Sequence, residues 1–531
     1  MKFSKLSWAI TVALTASASS SAFAISLYVD TKTKQIYAEP GPRRVLMGEF
    51  EKVGDKPKVA EAPVADAAEI AAIRQDLEFK TNEIKALQEH AEEEHKAPAV
   101  ELTDNGFEMK SKDGNFTAAV NGRMQVDSQV NMNQQVAPAV GTNTSNNLDD
   151  GTTLRRARLG VEGTFFKDWG YKFEYDFTRG NGSVAAGITD AYIKWSLDKA
   201  FSVKVGAFKE PFSMEEATSN RYITFIERNM ITNTFVDNLN TYKVGIGANY
   251  AAERWQTGVS LQTEPVGNNG AGNTSTNPNG GTNRNNGSGD TSWEANARVT
   301  GLPWMESKSK FWHVGASGSY MNINNNYQAN GSFNNGGIAF SATPNTNVDR
   351  TTVLDTGNLT SGVNMGKNSR VADHLTRFGA ETALVYGPFS TQAEYIQVDV
   401  SGKGYTDESL KGWYGYGSYF LTGESRAYKA KTGAWDRLKP AHNFDMKGGW
   451  GAWELAGGYD HINLNSGVIN GGRMSTAKFG INWYPNSHIR VMTNYIKTLD
   501  VDTQNAPVGS RTRGFNNSDF DILETRVQVD W

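Results

Sequence analysis

Residues 154–179 read LRRARLGVEGTFFKDWGYKFEYDFTR. Two runs of period two flank a short turn at Lys167-Asp168-Trp169-Gly170. In the second run Tyr171, Phe173, Tyr175 and Phe177 point one way, and Lys172, Glu174 and Asp176 the other. In the first, Ala157, Leu159, Val161 and Phe165 share a face opposite Arg156, Arg158 and Glu162. The stretch therefore predicts an antiparallel hairpin. A soluble sheet also alternates, but its polar face looks out to bulk water. Here the apolar face is heavy in aromatics, and the same order recurs down to the last residue. That pattern points to an all-β fold, a closed antiparallel barrel in lipid with a polar, charged interior.

Working outward, the C-terminus repeats the signal. Leu523, Thr525, Val527, Val529 and Trp531 face one way, and Glu524, Arg526, Gln528 and Asp530 the other. Outer-membrane barrels typically end on an aromatic in an alternating strand. Phe is commoner there, so Trp531 is a small departure. From Phe107 onward, period-two runs alternate with tight turns (Lys167 to Gly170, Gly387-Pro388, Tyr484 to His488) and with long Asn/Gly/Thr connections such as 131–150, 264–291 and 322–373. This asymmetry predicts short turns on the periplasmic side and long loops outside. A solenoid would show a fixed repeat period, and none is visible.

Only 38% of the 531 residues are hydrophobic, and the mean hydropathy is -0.52. A transmembrane barrel tolerates this, because only every second strand residue meets lipid. The net charge of -4 gives no basic field, so nucleic-acid binding has no support. Cysteine is absent, which suits an envelope protein without disulfides. Residues 1–24 read as a signal peptide: Lys2 and Lys5, an apolar core from Trp8 to Leu14, and Ala22-Phe23-Ala24 as the cleavage pattern. No Cys follows that position, so lipidation there is not expected. No run approaches the roughly 20 apolar residues that a spanning helix needs.

Residues 25–65 read as a possible short strand, Ile25 to Tyr37, and then a Pro-punctuated linker. Residues 66–96 contain no Gly and no Pro and predict a helix, with Asp66 and Glu69 forming a capping box. Ile70, Ile73, Leu77, Lys80, Ile84, Leu87 and Ala91 fall on a/d spacing over about three heptads. A periplasmic coiled coil, most naturally a trimer, is the favoured reading, with a lone amphipathic helix as its alternative. The barrel domain is expected over 107–531.

Catalysis has little support. The seven histidines are scattered, with no HExxH and no nucleophile elbow. No enzyme activity, cofactor or metal is expected.

Several blocks resemble the family of phosphate-selective porins O and P, the outer-membrane anion channels of Gram-negative bacteria. They are residues 154–177, ITDAYIKW (188–195), VGAFKEPFSMEEATSNRYITFIERN (205–229), GSYFLTGESRAYK (417–429), GGWGAWELAGGYDHINLN (448–465) and FGINWYPNSHIRVMTNYI (479–496). The resemblance covers about 107–531 and does not reach the helix. It implies a barrel of about 16 strands, a homotrimer in outer-membrane lipid, and a loop folded into the pore. It also implies a constriction built from a paired arginine, here Arg155 and Arg156, an aspartate matching Asp190, and an arginine matching Arg228. Guanidinium groups in a narrow, low-dielectric passage can replace part of an oxyanion's hydration shell. The alternative for each arginine is charge balancing along the wall. Strict alternation puts Arg155 and Arg156 on opposite faces, so both reach a lumen only if a bulge or a strand end intervenes. The family places a lysine in the segment FSMEEATS where this chain has Glu216, which argues against a dense phosphate site.

The expected function is passive diffusion of small hydrophilic solutes across the outer membrane, with anion preference. Two rivals stay open: a sugar-type porin, and an envelope tether whose coiled coil binds peptidoglycan.

Overall fold

The computed structural model describes residues 24–32, 36–51, 67–94, 99–103, 106–136, 147–178, 187–237, 242–265, 292–323, 338–361, 370–507 and 510–531. Apart from Ala24, the expected signal peptide lies outside these residues. Two compact units are present, Met1–Glu92 and Glu93–Trp531.

In the first unit, strand Ala24–Asp30 sits between Ile36–Tyr37 and Arg44–Glu51 in an antiparallel sheet. Arg44–Glu51 falls within the stretch read as a linker. Its run of Val45, Leu46 and Met47 favours extended backbone. Helix α1, Ala67–Glu94, follows. Ile73, Leu77, Ile84 and Leu87 on its expected seam are all exposed, as is Phe79. A helix is thus present, with its heptad stripe uncovered on this single chain.

The second unit is a closed barrel of 16 antiparallel strands. In chain order they are β1 (Thr117–Gln135), β2 (Gly151–Phe165), β3 (Trp169–Asp176), β4 (Ile188–Ser196), β5 (Phe201–Lys209), β6 (Tyr242–Ala251), β7 (Trp255–Pro265) and β8 (Trp293–Ser307). Then come β9 (Lys310–Asn322), β10 (Arg370–Tyr386), β11 (Phe389–Lys403), β12 (Tyr405–Phe420), β13 (Ala452–Ser466), β14 (Ile469–Tyr484), β15 (Ile489–Asp502) and β16 (Asp519–Asp530). Each strand pairs with its sequence neighbours, and β16 returns to β1 in the register Arg526↔Asp127 and Gln528↔Gln125. Closure removes every free edge. At the seam, Gly122 and Trp531 exchange two backbone hydrogen bonds of 3.1 Å. A Cβ at position 122 would lie 2.4 Å from the Trp531 ring, so only glycine lets the terminal indole lie flat on the outer face there.

The expected facing holds. On β16, Leu523 and Val527 are exposed outward while Glu524, Arg526, Gln528 and Asp530 are buried inward. Outward aromatics crowd the short-turn end. Trp169 stacks on Trp195 at 6.0 Å, and Trp453 on Trp483 at 5.6 Å. A second set lies nearer the opposite end, such as Trp293 with Tyr320 at 5.5 Å. On β9, Trp312 and Tyr320 bracket about 27 Å of strand, or about 20 Å of axial height at a tilt of ~40°. That height suits the apolar band of a bilayer.

Loop lengths depart from simple alternation. At the end expected to carry long loops, β11 meets β12 through Gly404 alone and β13 meets β14 through 467–468. At the short-turn end, the connection 421–451 is long and turns into the barrel: Trp435 is 4% exposed and donates its indole N–H to Gln392 on β11. The connection after β9 is likewise more than a polar loop. Its Phe340, Val353 and Leu354 are fully buried. They pack with Ile396, Val398, Leu410, Ile462 and Met474 from the inner wall. One sector of the interior is therefore a dry apolar core.

Candidate functional site

The segment 210–237, between β5 and β6, lies inside the barrel. It carries a four-residue helix α2 (Met214–Ala217) and a six-residue helix α3 (Met230–Phe235). Ser213, with φ 63, turns the chain inward and caps α2 through its side chain. The apolar residues Phe212, Phe225, Met230, Ile231 and Phe235 anchor the segment in the dry sector. Its polar groups reach nearly the whole circumference. Arg123 and Gln125 on β1 donate to Asn220, and Arg377 on β10 donates to the Phe235 carbonyl at 2.9 Å. Glu394 on β11 accepts from the Met214 and Glu215 N–H groups at 3.1 and 2.7 Å. Asp460 on β13 accepts from the Met230 N–H at 2.6 Å, and Arg490 on β15 donates to the Ile223 carbonyl at 2.7 Å.

The five residues singled out in the sequence fall in three places. Arg155 and Arg156 lie on β2 at a bulge: Gln125 pairs with Arg156 and Val126 with Leu154, so Arg155 has no partner opposite. Of the two interruptions that would let both reach the interior, a bulge or a strand end, the bulge is present, and both side chains turn inward. Both meet Glu227 of the interior segment. Arg155 does so through two hydrogen bonds of 2.8 and 3.1 Å, and Arg156 at 3.7 Å. Arg526 completes the ring around Glu227 at 2.7 Å and grips Asp127 in bidentate fashion at 2.7 and 2.6 Å. Burial raises the energy of a charged Glu227, yet the three guanidinium groups hold its carboxyl well below the usual range.

Arg228 and Glu216 pair with each other at 3.1 Å. Glu216 also contacts Lys209, and Arg228 reaches Asp237 at 3.1 Å. Asp190 stands apart, 3.3 Å from Lys172. The clusters are not one site, although the adjacent residues Glu227 and Arg228 link the first two.

Access to water sorts these groups. The side chains of Lys172, Asp190, Lys209 and Asp237 are about a fifth to a quarter exposed, at 24, 18, 22 and 24%, and Arg155 keeps 15%. Arg156, Arg228 and Glu216 keep 4, 3 and 0%. Lys194 and Lys204, paired across β4 and β5, lie on the same inward face as Lys172. Neither is in an ion pair among the described residues. Lys204 sits 4.4 Å over the Phe208 ring. Sequence reasoning passed over Lys172, Lys204, Lys209, Glu227 and Arg526, although alternation already placed Lys172 and Arg526 on the polar faces of their strands.

The family model for phosphate-selective porin O and P matches residues 119–531. The chain belongs to that family. As a porin it is an outer-membrane channel for small hydrophilic solutes. Porin O of Pseudomonas aeruginosa is 27% identical over 459 residues, covering 81% of this porin and 92% of that protein. A Caulobacter vibrioides protein is 26% identical over 397 residues, covering 74% and 71%. Among solved structures, OmpT of Vibrio cholerae is similar at 11% identity and a TM-score of 0.44, covering 78% of this porin and 98% of that chain. An anion-selective porin from Comamonas acidovorans is similar at 9% identity and a TM-score of 0.44, covering 78% and 100%.

Proposed function

We propose that this porin passes small solutes with a modest anion preference, along the β3–β5 side of the interior. The observation that carries the reading is the separation of paired from watered charge. The arginines at 155, 156 and 228 are each tied to a carboxylate of segment 210–237, whereas on the β3–β5 wall Lys172 pairs with Asp190 and Glu162 yet stays a quarter exposed, and Lys194 and Lys204 are in no ion pair among the described residues. Segment 210–237 carries five acidic and two basic residues, so it neutralises the wall it crosses. On this reading Arg155, the most watered of the three arginines, and Asp190 meet the solute. Arg156, Arg228 and Glu216 act by holding the segment in place. A dense phosphate site is not supported, because Glu216 and Glu227 already occupy the guanidinium groups that would bind it.

The short-turn end, which also carries the barrel's C-terminus, faces the periplasm on this reading. The porin assembles as a trimer, and α1 self-associates through Ile73, Leu77, Ile84 and Leu87. Reversal potential of the purified porin in a salt gradient is the direct test. Chloride over potassium by a few-fold is expected; cation preference would remove the anion part, and the lack of any conductance would remove the channel reading. A plugged barrel that tethers the envelope is the second reading, favoured by how much of the interior its own segments fill. A sugar-type slide has less support, since the inward pair Tyr414 and Tyr416, stacked at 5.9 Å, is buried.

A further inference from the structure

The connection 421–451 ends in a turn that its role inside the barrel does not use. Residues 443–450 fold as a rigid protrusion. The Asp445 carboxylate accepts from the Lys447 and Gly449 N–H groups at 2.7 and 2.9 Å. The Phe444 N–H donates to the Pro485 carbonyl at 2.8 Å, docking the turn on the neighbouring one. Met446 is held at φ 58 at the tip. What this frame presents is apolar: Met446 is 87% exposed and Trp450 71%. A soluble turn held this firmly has no reason to offer two large apolar side chains to water.

The protrusion continues the outward aromatic belt. Phe444 meets the Trp483 ring edge-on at 5.2 Å, and Trp483 stacks on Trp453. Both indoles, at 453 and 483, donate to the Trp450 carbonyl, at 3.2 and 2.9 Å. Trp450 is thus bonded into a surface that faces lipid in an outer-membrane barrel. Lys447, exposed beside Met446, puts a cation next to this apolar tip, the pairing that suits a headgroup boundary.

We propose that residues 443–450 form an interfacial anchor, with Met446 and Trp450 seated in the headgroup–acyl boundary of the leaflet at the short-turn end. The inference rests on the barrel's place in the outer membrane. It commits to a phospholipid surface as the partner. The anchor would fix the height of the 421–451 connection, and with it the segment that enters the barrel.

The chain has no cysteine, so one substitution creates a unique labelling site. Met446→Cys and, separately, Trp450→Cys are labelled with an environment-sensitive fluorophore in the full-length porin, in vesicles of phosphatidylethanolamine and phosphatidylglycerol. Val527→Cys at mid-belt and Asn505→Cys in an exposed turn of the opposite end serve as references. Expected is a blue-shifted emission at 446 and 450, with several-fold stronger quenching by a shallow spin-labelled lipid than at 505. Water-like emission at 446 and 450 with normal quenching at 527 would overturn the anchor and leave the barrel standing. Loss of quenching at 527 would overturn the membrane barrel itself. Nitroxides at 446 that broaden one another at every protein-to-lipid ratio, without lipid quenching, would assign the turn to a second copy and also overturn the proposal.

Discussion

The Arg526 guanidinium lies 2.7 Å from the Glu227 carboxylate, across 299 residues of sequence. The same guanidinium grips Asp127 on the strand that closes the barrel. One side chain therefore joins the closing seam to the segment that crosses the interior. Because Arg155 and Arg156 share Glu227, this carboxylate compensates three cations, of which Arg156 and Arg526 are buried.

Glu227→Gln is expected to cost about 3–5 kcal/mol, the scale for removing one partner of a buried ion pair. Unfolding in urea from lipid vesicles would read the loss. The uncompensated arginines should also move the reversal potential toward anions. An unchanged midpoint would show that Asp127 alone satisfies the cluster.

Glu216 holds Lys209 and Arg228 together, and Lys209 retains contact with water. Glu216→Gln should raise the chloride-to-potassium permeability ratio. Glu216→Lys should raise it further, with a fold cost from three neighbouring cations. Bilayer recordings with phosphate added should show stronger block in both variants than in the native porin.

Lys172, a quarter exposed, and the half-buried Lys204 lie on the β3–β5 wall. Each charge is worth about 0.5–1 kcal/mol to a passing ion at a few ångströms in a largely aqueous passage. Lys172→Gln and Lys204→Gln should therefore each lower anion preference by about two- to five-fold without unfolding the barrel. Selectivity that stays put would place the path elsewhere.

Glu215 makes the interior segment sensitive to pH. Burial pushes its carboxyl up to about 8, and the neighbouring Glu394 carboxylate adds to the push. The folded state thus binds a proton that the unfolded state has released. This stabilisation is full below about 4.5 and is lost as pH rises toward 8, by up to about 1.4 kcal/mol per unit. Glu227 has the opposite sign: its contribution stands above the ordinary carboxylate range and is lost only in strong acid. Conductance noise should therefore grow between about pH 4.5 and 8 and level off above, and Glu215→Gln should abolish the trend.

Deleting 66–96 should leave single-channel conductance unchanged and lower the heat resistance of the assembled porin. Leu77→Asp with Ile84→Asp should match the deletion. If both proteins keep the melting temperature of the unaltered porin, α1 does not self-associate.

The strand order was open to reading because side-chain parity is a local property. Tyr171, Phe173, Tyr175 and Phe177 declare a lipid face through spacing alone, and Leu523 to Trp531 repeat it. The adjacent Arg155 and Arg156 carried a conditional reading: parity lets both turn inward only if a bulge or a strand end intervenes, and a bulge lies there. Glu227 and Arg526 were harder to connect, since nothing local ties a loop acid to a base on the final strand.

The amino-acid order by itself determined that this chain closes into a lipid-facing barrel. Each strand needs only its own alternation and its neighbours to satisfy every backbone group. The tertiary structure alone decided which segments fill the interior and which charges are silenced there. Those outcomes depend on Coulomb partners and apolar contacts brought together from distant strands, where the desolvated carboxylates at 216 and 227 meet arginines whose partners spacing does not name.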